Sequence, residues 1–204
     1  MLFKNDYWYF TAGLPEKICD DIVKYALSQK EVEGVTGGIE PGTDNKNKQV
    51  RNSDLVWLNE RWIYNEIHPF INIANKNAGW NFDWDWSETL QFTKYKTNQH
   101  YNWHQDAWDS PYTDEHSHSN YKGKIRKLSI SVILSNENDY EGGDFQFDYR
   151  HKYKDDKNLV DTVKGIRPKG SVLVFPSYLW HKVTPVTSGT RYSLVNWVLG
   201  NPYK

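Results

Sequence analysis

Two histidines and an aspartate lie close together in the stretch QHYNWHQDAW, residues 99–108. His104 and Asp106 are two positions apart, and successive side chains of a β-strand point to opposite faces. If the stretch is a strand, the imidazole and the carboxylate therefore point the same way. Imidazole nitrogens and carboxylate oxygens are both ligands of transition metals. The pair predicts half of a metal site, and a third ligand has to come from elsewhere.

The third ligand is expected on a distant strand. A mononuclear Fe(II) site for oxygen chemistry uses two histidines and one carboxylate on one face of an octahedron, which leaves three positions for a cosubstrate and O2. His181, in FPSYLWHKVTPV, follows the predicted strand KGSVLVFPS and precedes the predicted strand TSGTRYSLVNW. A hairpin at this point brings the side chain back over the sheet. His181 is therefore the candidate third ligand.

A candidate cation for binding an anion lies ten residues after His181. In GTRYSLVNW, Arg191 shares one strand face with Ser193, Val195 and Trp197. An arginine that points into a barrel costs free energy unless an anion meets it. A dicarboxylate cosubstrate supplies that anion, because its distal carboxylate can bind both arms of the guanidinium. Ser193 can donate a further hydrogen bond.

The elements that position these residues follow from the apolar periodicity. Residues 14–30 and 57–79 have apolar side chains at helical spacing, and Pro69 is expected to end or kink the second helix. After Trp80, short runs rich in β-branched and aromatic residues are separated by Gly, Asn, Asp and Pro clusters. We predict a single domain over 1–204, with a helical part at about 1–79 and a β-core at about 80–200.

Composition restricts the classes of partner and compartment. Lys plus Arg number 25 and Asp plus Glu 26, a formal net charge of -1 that offers no basic footprint for nucleic acid or an anionic membrane. Cys19 is the only cysteine, which excludes an intramolecular disulfide and multi-cysteine metal sites and favours a reducing compartment. The sequence has neither a signal-peptide core nor a run of about eighteen apolar residues. We expect a soluble, cytoplasmic protein.

Four motifs occur in order: YNWHQDAW, YEGGDFQF, KGSVLVFPSYLWHKVTPV and SGTRYSLVNWVLG. Together, over about residues 80–199, they resemble the 2-oxoglutarate/Fe(II) dioxygenase superfamily, specifically its prolyl 4-hydroxylase-like branch. The resemblance implies a mainly β fold, the double-stranded β-helix (jelly-roll, cupin-like), with N-terminal helices packed on one sheet. Gly142 and Gly143 match the family's paired glycines, which we interpret as requirements of a turn.

The resemblance also implies roles for individual residues. His104, Asp106 and His181 match the iron triad, and Arg191 matches the basic residue that holds 2-oxoglutarate. Tyr95 matches a tyrosine that hydrogen-bonds the same carboxylate. The implied cofactor is Fe(II), the implied cosubstrates are 2-oxoglutarate and O2, and ascorbate is a candidate accessory. The implied reaction hydroxylates a C–H bond and releases succinate and CO2.

Two further residues are candidates for substrate binding. Trp108 shares the predicted ligand face, so that lining a substrate pocket and simple packing both fit. Arg51, in VRNSD, belongs to a segment that resembles the border of the active-site mouth in prolyl hydroxylases. A surface charge is the alternative interpretation of Arg51.

Three functions are compatible with the sequence. The first is hydroxylation of prolyl residues in a protein or peptide, and the polar segments 33–52 and 109–126 could fold over an extended peptide. The second keeps the chemistry but acts on a free amino acid, another small molecule or a nucleobase; the near-neutral charge argues against nucleic acid. The third is a non-catalytic jelly-roll module that binds a metal. Arg191 argues against it, because an inert metal site needs no buried cation.

Overall fold

The computed structural model describes residues 5–37, 44–45, 47–108, 110–113, 120–149 and 159–203. Two helices and sixteen strands occur in these ranges. The helices are α1 (Glu16–Leu27) and α2 (Arg61–Asn77). The strands are β1 (Trp8–Phe10), β2 (Val32–Glu33), β3 (Thr36–Gly37), β4 (Asp44–Asn45), β5 (Arg51–Asn52), β6 (Asp54–Leu58), β7 (Trp86–Ser87), β8 (Leu90–Lys96), β9 (His100–His104), β10 (Ile125–Ile133), β11 (Tyr140–Gly142), β12 (Phe145–Asp148), β13 (Val160–Thr162), β14 (Val172–Pro176), β15 (His181–Val183) and β16 (Val186–Gly200).

Two antiparallel sheets form the body of the protein. The larger has the strand order β1-β14-β10-β16-β8-β6-β2, with β7 and β11 also paired to β16. The smaller has the order β13-β12-β15-β9-β5, and β3 pairs with β4 separately. Strands far apart in sequence are therefore neighbours in each sheet. The pairing of β9 with β15 is the one that matters most here, because it places His104 opposite His181.

The helices cover the outer face of the larger sheet, as the sequence predicts. Helix α2 buries Ile63, Ile67, Ile71 and Ala74, which recur at helical spacing along one face. They form one apolar cluster with the buried residues of α1 and with side chains of β10, β14 and β16. A second cluster lies between the two sheets and contains aromatic side chains of β12 and β14. The protein thus has a layer of helices and two layers of sheet.

Alternation along β10 decides which side chains face the helices. Leu128, Ile130 and Val132 pack in the helix-facing cluster. Ser129 and Ser131, which alternate with them, are buried as well and point toward the smaller sheet. Serine is small, so this face of β10 leaves space between the sheets where large side chains would fill it.

Two predictions about the N-terminal part need correction. Helix α2 continues across Pro69, so of the two predicted effects, an end or a kink, the end of the helix is wrong. A proline inside a helix removes one backbone hydrogen bond, and here the apolar face packs against the sheet on both sides of it. The predicted helical part also supplies strands to both sheets, because β6 pairs with β8 and β5 pairs with β9. Trp57 belongs to β6 and not to the helix.

Candidate metal centre

The three predicted metal ligands converge at one end of the smaller sheet. His104 is the last residue of β9, His181 is the first residue of β15, and the two are paired across the strands. His104 Nε2 lies 3.7 Å from Asp106 Oδ1, and His181 Nε2 lies 3.5 Å from Asp106 Oδ2. One ligand atom from each residue lies within 4.8 Å of the others. The described residues contain no other group of three such ligands.

Asp106 reaches this position by a different route from the one predicted. Strand β9 ends at His104, so Asp106 does not share a strand face with it, and strand alternation is the wrong explanation of their proximity. The amide groups of Asp106 and Ala107 both donate to the carbonyl oxygen of Ser177, each at 2.9 Å. This clamp fixes the residues after β9 against the end of β14, and the carboxylate turns toward the histidines.

A chain of buried hydroxyls holds the Asp106 carboxylate. Ser129 Oγ donates to Asp106 Oδ2 at 2.7 Å, and Ser177 Oγ lies 2.9 Å from Ser129 Oγ. Both serines are fully buried. A carboxylate oxygen has several lone pairs, so Oδ2 can accept from Ser129 while Oδ1 faces His104. The serines therefore fix the orientation of the carboxylate before any metal binds.

The histidines are held in the tautomer that a metal requires. His104 Nδ1 lies 2.7 Å from the carbonyl oxygen of Asn102, and His181 Nδ1 lies 2.8 Å from that of Leu179. A carbonyl only accepts, so each Nδ1 carries a proton, and the neutral form of each imidazole then offers the Nε2 lone pair to a metal. Both Nε2 atoms face Asp106. Two neutral imidazoles and one carboxylate suit a divalent first-row metal, and these residues fit Fe(II).

Electrostatics favour a neutral His104 and an ionised Asp106. Burial lowers the pKa of His104 to about 3, and the neighbouring His181 acts in the same direction. Burial alone would raise the pKa of Asp106, but His181, His104 and Arg126, together with the hydrogen bond from Ser129, hold that pKa below its ordinary value. Near neutral pH the cluster therefore carries one carboxylate charge and a neutral His104.

A cavity runs from the three ligands to Arg191. Its lining includes Tyr95, Ser193 and Trp197 in addition to Arg191 and the ligands. Arg191 is only 1% exposed, its Nη1 donates to Ser193 Oγ at 3.1 Å, and its Cζ lies 5.5 Å from the centre of the Tyr95 ring. Its Nε is buried without a hydrogen-bond partner among the described residues. No acidic residue in the described part of the chain forms an ion pair with Arg191, so none of these residues compensates its charge.

Neither of the two candidate substrate-binding residues lines this cavity. Arg51 is 7% exposed, and its guanidinium lies 4.6 Å from the ring centre of Tyr101. The Tyr101 ring also stacks on the ring of His104. Arg51 Nη2 is buried with no hydrogen-bond partner in the described part of the chain. Trp108 is 44% exposed and does not line the cavity. Although the sequence predicted that Trp108 shares the ligand face, the residue lies outside this pocket.

The structure adds residues that sequence reasoning missed. Glu88 and Arg126 form a buried ion pair through two hydrogen bonds of 2.6 Å. Arg126 also donates from Nη1 to the Asp106 carbonyl oxygen at 3.1 Å, and its guanidinium lies between the rings of Trp108 and Trp197. Neither residue belongs to a motif with ligand spacing. A weak signal existed, since charged residues inside strand-like segments are costly unless they are paired.

Comparison with known proteins identifies the family. Residues 90–199 match the sequence model of the 2OG-Fe(II) oxygenase superfamily, which is more than half of the chain. A PKHD-type hydroxylase of Synechococcus sp. is 31% identical over 110 residues, 54% of this chain and 41% of that protein. The PKHD-type hydroxylase YbiX of Escherichia coli is 26% identical over 184 residues, 87% of this chain and 72% of that protein. The match to the first of these relatives spans less than half of its length.

Solved structures share the fold. A viral collagen prolyl hydroxylase from Paramecium bursaria Chlorella virus-1, in complex with 2OG, matches with a TM-score of 0.65 at 20% identity and covers 97% of both chains. A Trichoplax adhaerens prolyl hydroxylase in complex with a hypoxia inducible factor peptide fragment matches with a TM-score of 0.68 at 18% identity, over 96% of this chain and 84% of that one. The predicted jelly-roll class is confirmed. Among the described residues, no helix is long and apolar enough to cross a membrane.

Proposed function

The chain belongs to the 2OG-Fe(II) oxygenase superfamily, and from this premise we propose that it is an Fe(II)- and 2-oxoglutarate-dependent dioxygenase that hydroxylates prolyl residues of a protein or peptide, with release of succinate and CO2. One observation carries the proposal. The cavity that holds three convergent metal ligands ends at a buried, uncompensated arginine. A metal bound by the three ligands and a dicarboxylate bound by the arginine would occupy the two ends of this cavity.

His104, Asp106 and His181 would hold the iron. When bound, Fe(II) would supply the activation of O2, with 2-oxoglutarate as the source of electrons, that makes an unactivated C–H bond reactive. The protein's own residues prepare the site. The Nδ1 hydrogen bonds orient the two imidazoles, and Ser129 orients the carboxylate. Because these contacts exist before the metal binds, little reorganisation is needed when it does.

Arg191, Ser193 and Tyr95 would bind the distal carboxylate of 2-oxoglutarate. A guanidinium offers planar paired donors that match a carboxylate, and its desolvation is offset only when an anion arrives. Ser193 already accepts from Arg191 and can turn its own hydroxyl proton toward the ligand. Burial raises the pKa of Tyr95, so its hydroxyl stays protonated and can donate. The three side chains would fix the cosubstrate at the end remote from the metal.

A peptide substrate is supported by the relatives and by Arg51. The relatives are named PKHD-type hydroxylases, and one structure of the same fold contains a peptide fragment. The Arg51 guanidinium lies over the ring of Tyr101, which stacks on His104. Its Nη2, without a hydrogen-bond partner among the described residues, would donate to a main-chain carbonyl of the peptide. Trp108, outside the cavity, would meet a segment that extends beyond it. The segments 38–43, 109 and 114–119, parts of the loops expected to fold over a peptide, lie outside the described residues.

The test is oxygen incorporation measured by mass spectrometry. The protein is incubated with Fe(II), 2-oxoglutarate, ascorbate and a panel of proline-containing peptides, each matched with a peptide in which alanine replaces proline. We expect a gain of one oxygen on the proline and matching succinate formation, both abolished in His181→Ala. If a free amino acid or a nucleoside gains oxygen while no peptide does, the small-molecule function replaces the prolyl one. If 2-oxoglutarate is never consumed, the enzyme proposal itself falls.

A further inference from the structure

Gly143 packs directly against the stem of Arg191. Its φ is +62°, and a Cβ added there would lie 2.8 Å from Arg191 Cδ and 3.1 Å from Val186 Cγ2. The neighbouring Gly142 differs, because its Cβ would meet the backbone oxygen of Pro185 at 2.3 Å. The turn interpretation therefore suffices for Gly142. For Gly143 it does not, since the missing side chain also leaves room for the aliphatic part of the arginine.

Gly143 lies on the side of Arg191 that faces away from the metal ligands. Arg191 lines two cavities. The first contains His104, Asp106 and His181, and Gly143 is absent from it. The second, behind Arg191, is lined by Gly143, Val163 and Arg167 among others, and contains none of the metal ligands. Gly143 is thus a wall behind the arginine, and any group added to that wall pushes the guanidinium toward the metal.

Displacement in other directions is limited. Arg191 is only 1% exposed, and its Nη1 donates to Ser193 Oγ. The atom that a Cβ at residue 143 would meet is Cδ, in the middle of the arginine side chain and not at its flexible end. Strands β8 and β16 pair Arg191 with Tyr95, which fixes the backbone from which the side chain projects. The position of the guanidinium along the cavity is therefore determined by what stands at residue 143.

We propose that Gly143 sets the distance between the dicarboxylate-binding guanidinium and the metal ligands, and so selects the chain length of the 2-oxo diacid that the protein accepts. Gly143 acts through Arg191 and is a positioning residue. The inference rests on the proposed function, in which Arg191 binds the distal carboxylate. It goes further by assigning cosubstrate selectivity to a residue that touches no ligand itself.

The test compares three 2-oxo diacids that differ by single methylenes. These are oxaloacetate, 2-oxoglutarate and 2-oxoadipate, and their dissociation constants are measured by calorimetry on the Mn(II)-loaded protein. In a closely fitting pocket one methylene changes affinity by about 10- to 200-fold. We expect Gly143→Ala to weaken the binding of 2-oxoglutarate more than the binding of oxaloacetate. The ratio of their two dissociation constants should shift in favour of the shorter diacid by at least about fivefold. Mn(II) affinity should stay near wild type.

Two variants separate repositioning from backbone strain. Gly79 has a φ of +76° and no atom within 4 Å of an added Cβ, so Gly79→Ala reports the strain of alanine at positive φ without a contact. This variant should keep the wild-type ratio of the dissociation constants. Val163 is 4% exposed and lines the rear cavity with φ at -77°. Val163→Ile adds a methyl behind Arg191 without that strain, and should shift the ratio in the same direction by a smaller factor.

The outcomes are distinct. Equal weakening of the binding of all three diacids in Gly143→Ala, or a wild-type ratio of the dissociation constants in both Gly143→Ala and Val163→Ile, overturns the inference while leaving the proposed function intact. If Gly143→Ala does not fold, Val163→Ile alone decides. If the wild-type protein binds none of the diacids, the assignment of Arg191 falls, and with it both the proposed function and the inference.

Discussion

The Asp106 carboxylate is positioned by a side chain that no ligand motif contains. Ser129 Oγ donates to Asp106 Oδ2 at 2.7 Å in a fully buried environment. Removing the hydroxyl leaves Oδ2 without that donor and frees the carboxylate to rotate. We expect Ser129→Ala to weaken Mn(II) binding by about 10- to 100-fold, the usual effect of losing a hydrogen bond to a ligand. Competition with a fluorescent chelator measures the change.

Ser131→Ala is the matched control for this prediction. Ser131 is on the same strand and the same face, it is 4% exposed, and it also lines the cavity, but the hydroxyl that donates to Asp106 is that of Ser129. The Mn(II) affinity of Ser131→Ala should remain within about twofold of wild type, because positions that share no interaction are coupled by only a few tenths of a kcal/mol. Equal losses of Mn(II) affinity in Ser129→Ala and Ser131→Ala would show that either substitution disturbs strand β10 in general and that the hydrogen bond to Asp106 has no specific role.

Arg191 should govern the cosubstrate and not the metal. Truncating one partner of a buried charge pair costs about 2 to 5 kcal/mol, so Arg191→Ala should weaken 2-oxoglutarate binding to the Mn(II)-loaded protein by that amount. Mn(II) binding should be near wild type, because Arg191 lies at the far end of the cavity. Arg61, exposed on α2, provides the control variant Arg61→Ala. Unchanged 2-oxoglutarate affinity in Arg191→Ala would contradict the assignment.

The sequence predicts ligands better than it predicts the residues that orient them. His104, Asp106, His181 and Arg191 are recognisable because their chemistry is demanding and their order matches a family. Ser129 has a common side chain, and its role exists only because β10 and β14 pair so that Ser177 and Asp106 lie beside it. Such a role depends on register between distant strands, which composition and periodicity do not encode.

At the scale of elements, strand alternation failed because β9 ends at His104, before Asp106, and β9 is also irregular between Tyr101 and His104. His181 pairs with His104 and Val183 pairs with Tyr101, so three residue steps on β9 oppose two on β15. One extra residue in β9 is a β-bulge, which re-aims the side chains that follow. Alternation read from the sequence assumes that the strand continues, and it therefore predicted the proximity of His104 and Asp106 for the wrong geometric reason. The two helices and the later strands were predictable, because their periodicity extends over longer segments.

Helix α2 stabilises the sheet that carries Arg191 and Ser129. Ile67 is fully buried against it, whereas Ile73 on the same helix is 46% exposed. Replacing a buried isoleucine by alanine removes apolar contact and leaves a cavity, at a cost of about 2 to 5 kcal/mol. We expect Ile67→Ala to lower the free energy of unfolding in urea by about that amount. Ile73→Ala should change it by less than about 0.5 kcal/mol, and equal effects would mean that α2 does not pack as described.

For the molecule as a whole, the metal cluster and the arginine pocket are parts of one electrostatic system. The ligand cluster has one carboxylate charge near neutral pH, which repels a dianionic cosubstrate even though Arg191 attracts one end of it. A bound divalent metal reverses the sign of the cluster. The cavity therefore has one cation before metal binding and cations at both ends afterwards. This change predicts thermodynamic coupling between the two ligands.

The coupling should be visible in the thermal stability of the protein. A metal at a hundred times its Kd stabilises the folded state by about 2.7 kcal/mol, which for a chain of this length raises Tm by about 5 to 10 °C. We expect Mn(II) to produce this shift in wild type and in Arg191→Ala but not in Asp106→Ala. 2-Oxoglutarate should add a further shift only when Mn(II) is present and Arg191 is intact.

Because coupling free energies are reciprocal, 2-oxoglutarate must tighten Mn(II) binding by the same factor by which Mn(II) tightens 2-oxoglutarate binding. Calorimetric titrations in both orders measure the two factors. A shift by 2-oxoglutarate of equal size with and without Mn(II) would place the diacid away from the triad and separate the two halves of the site.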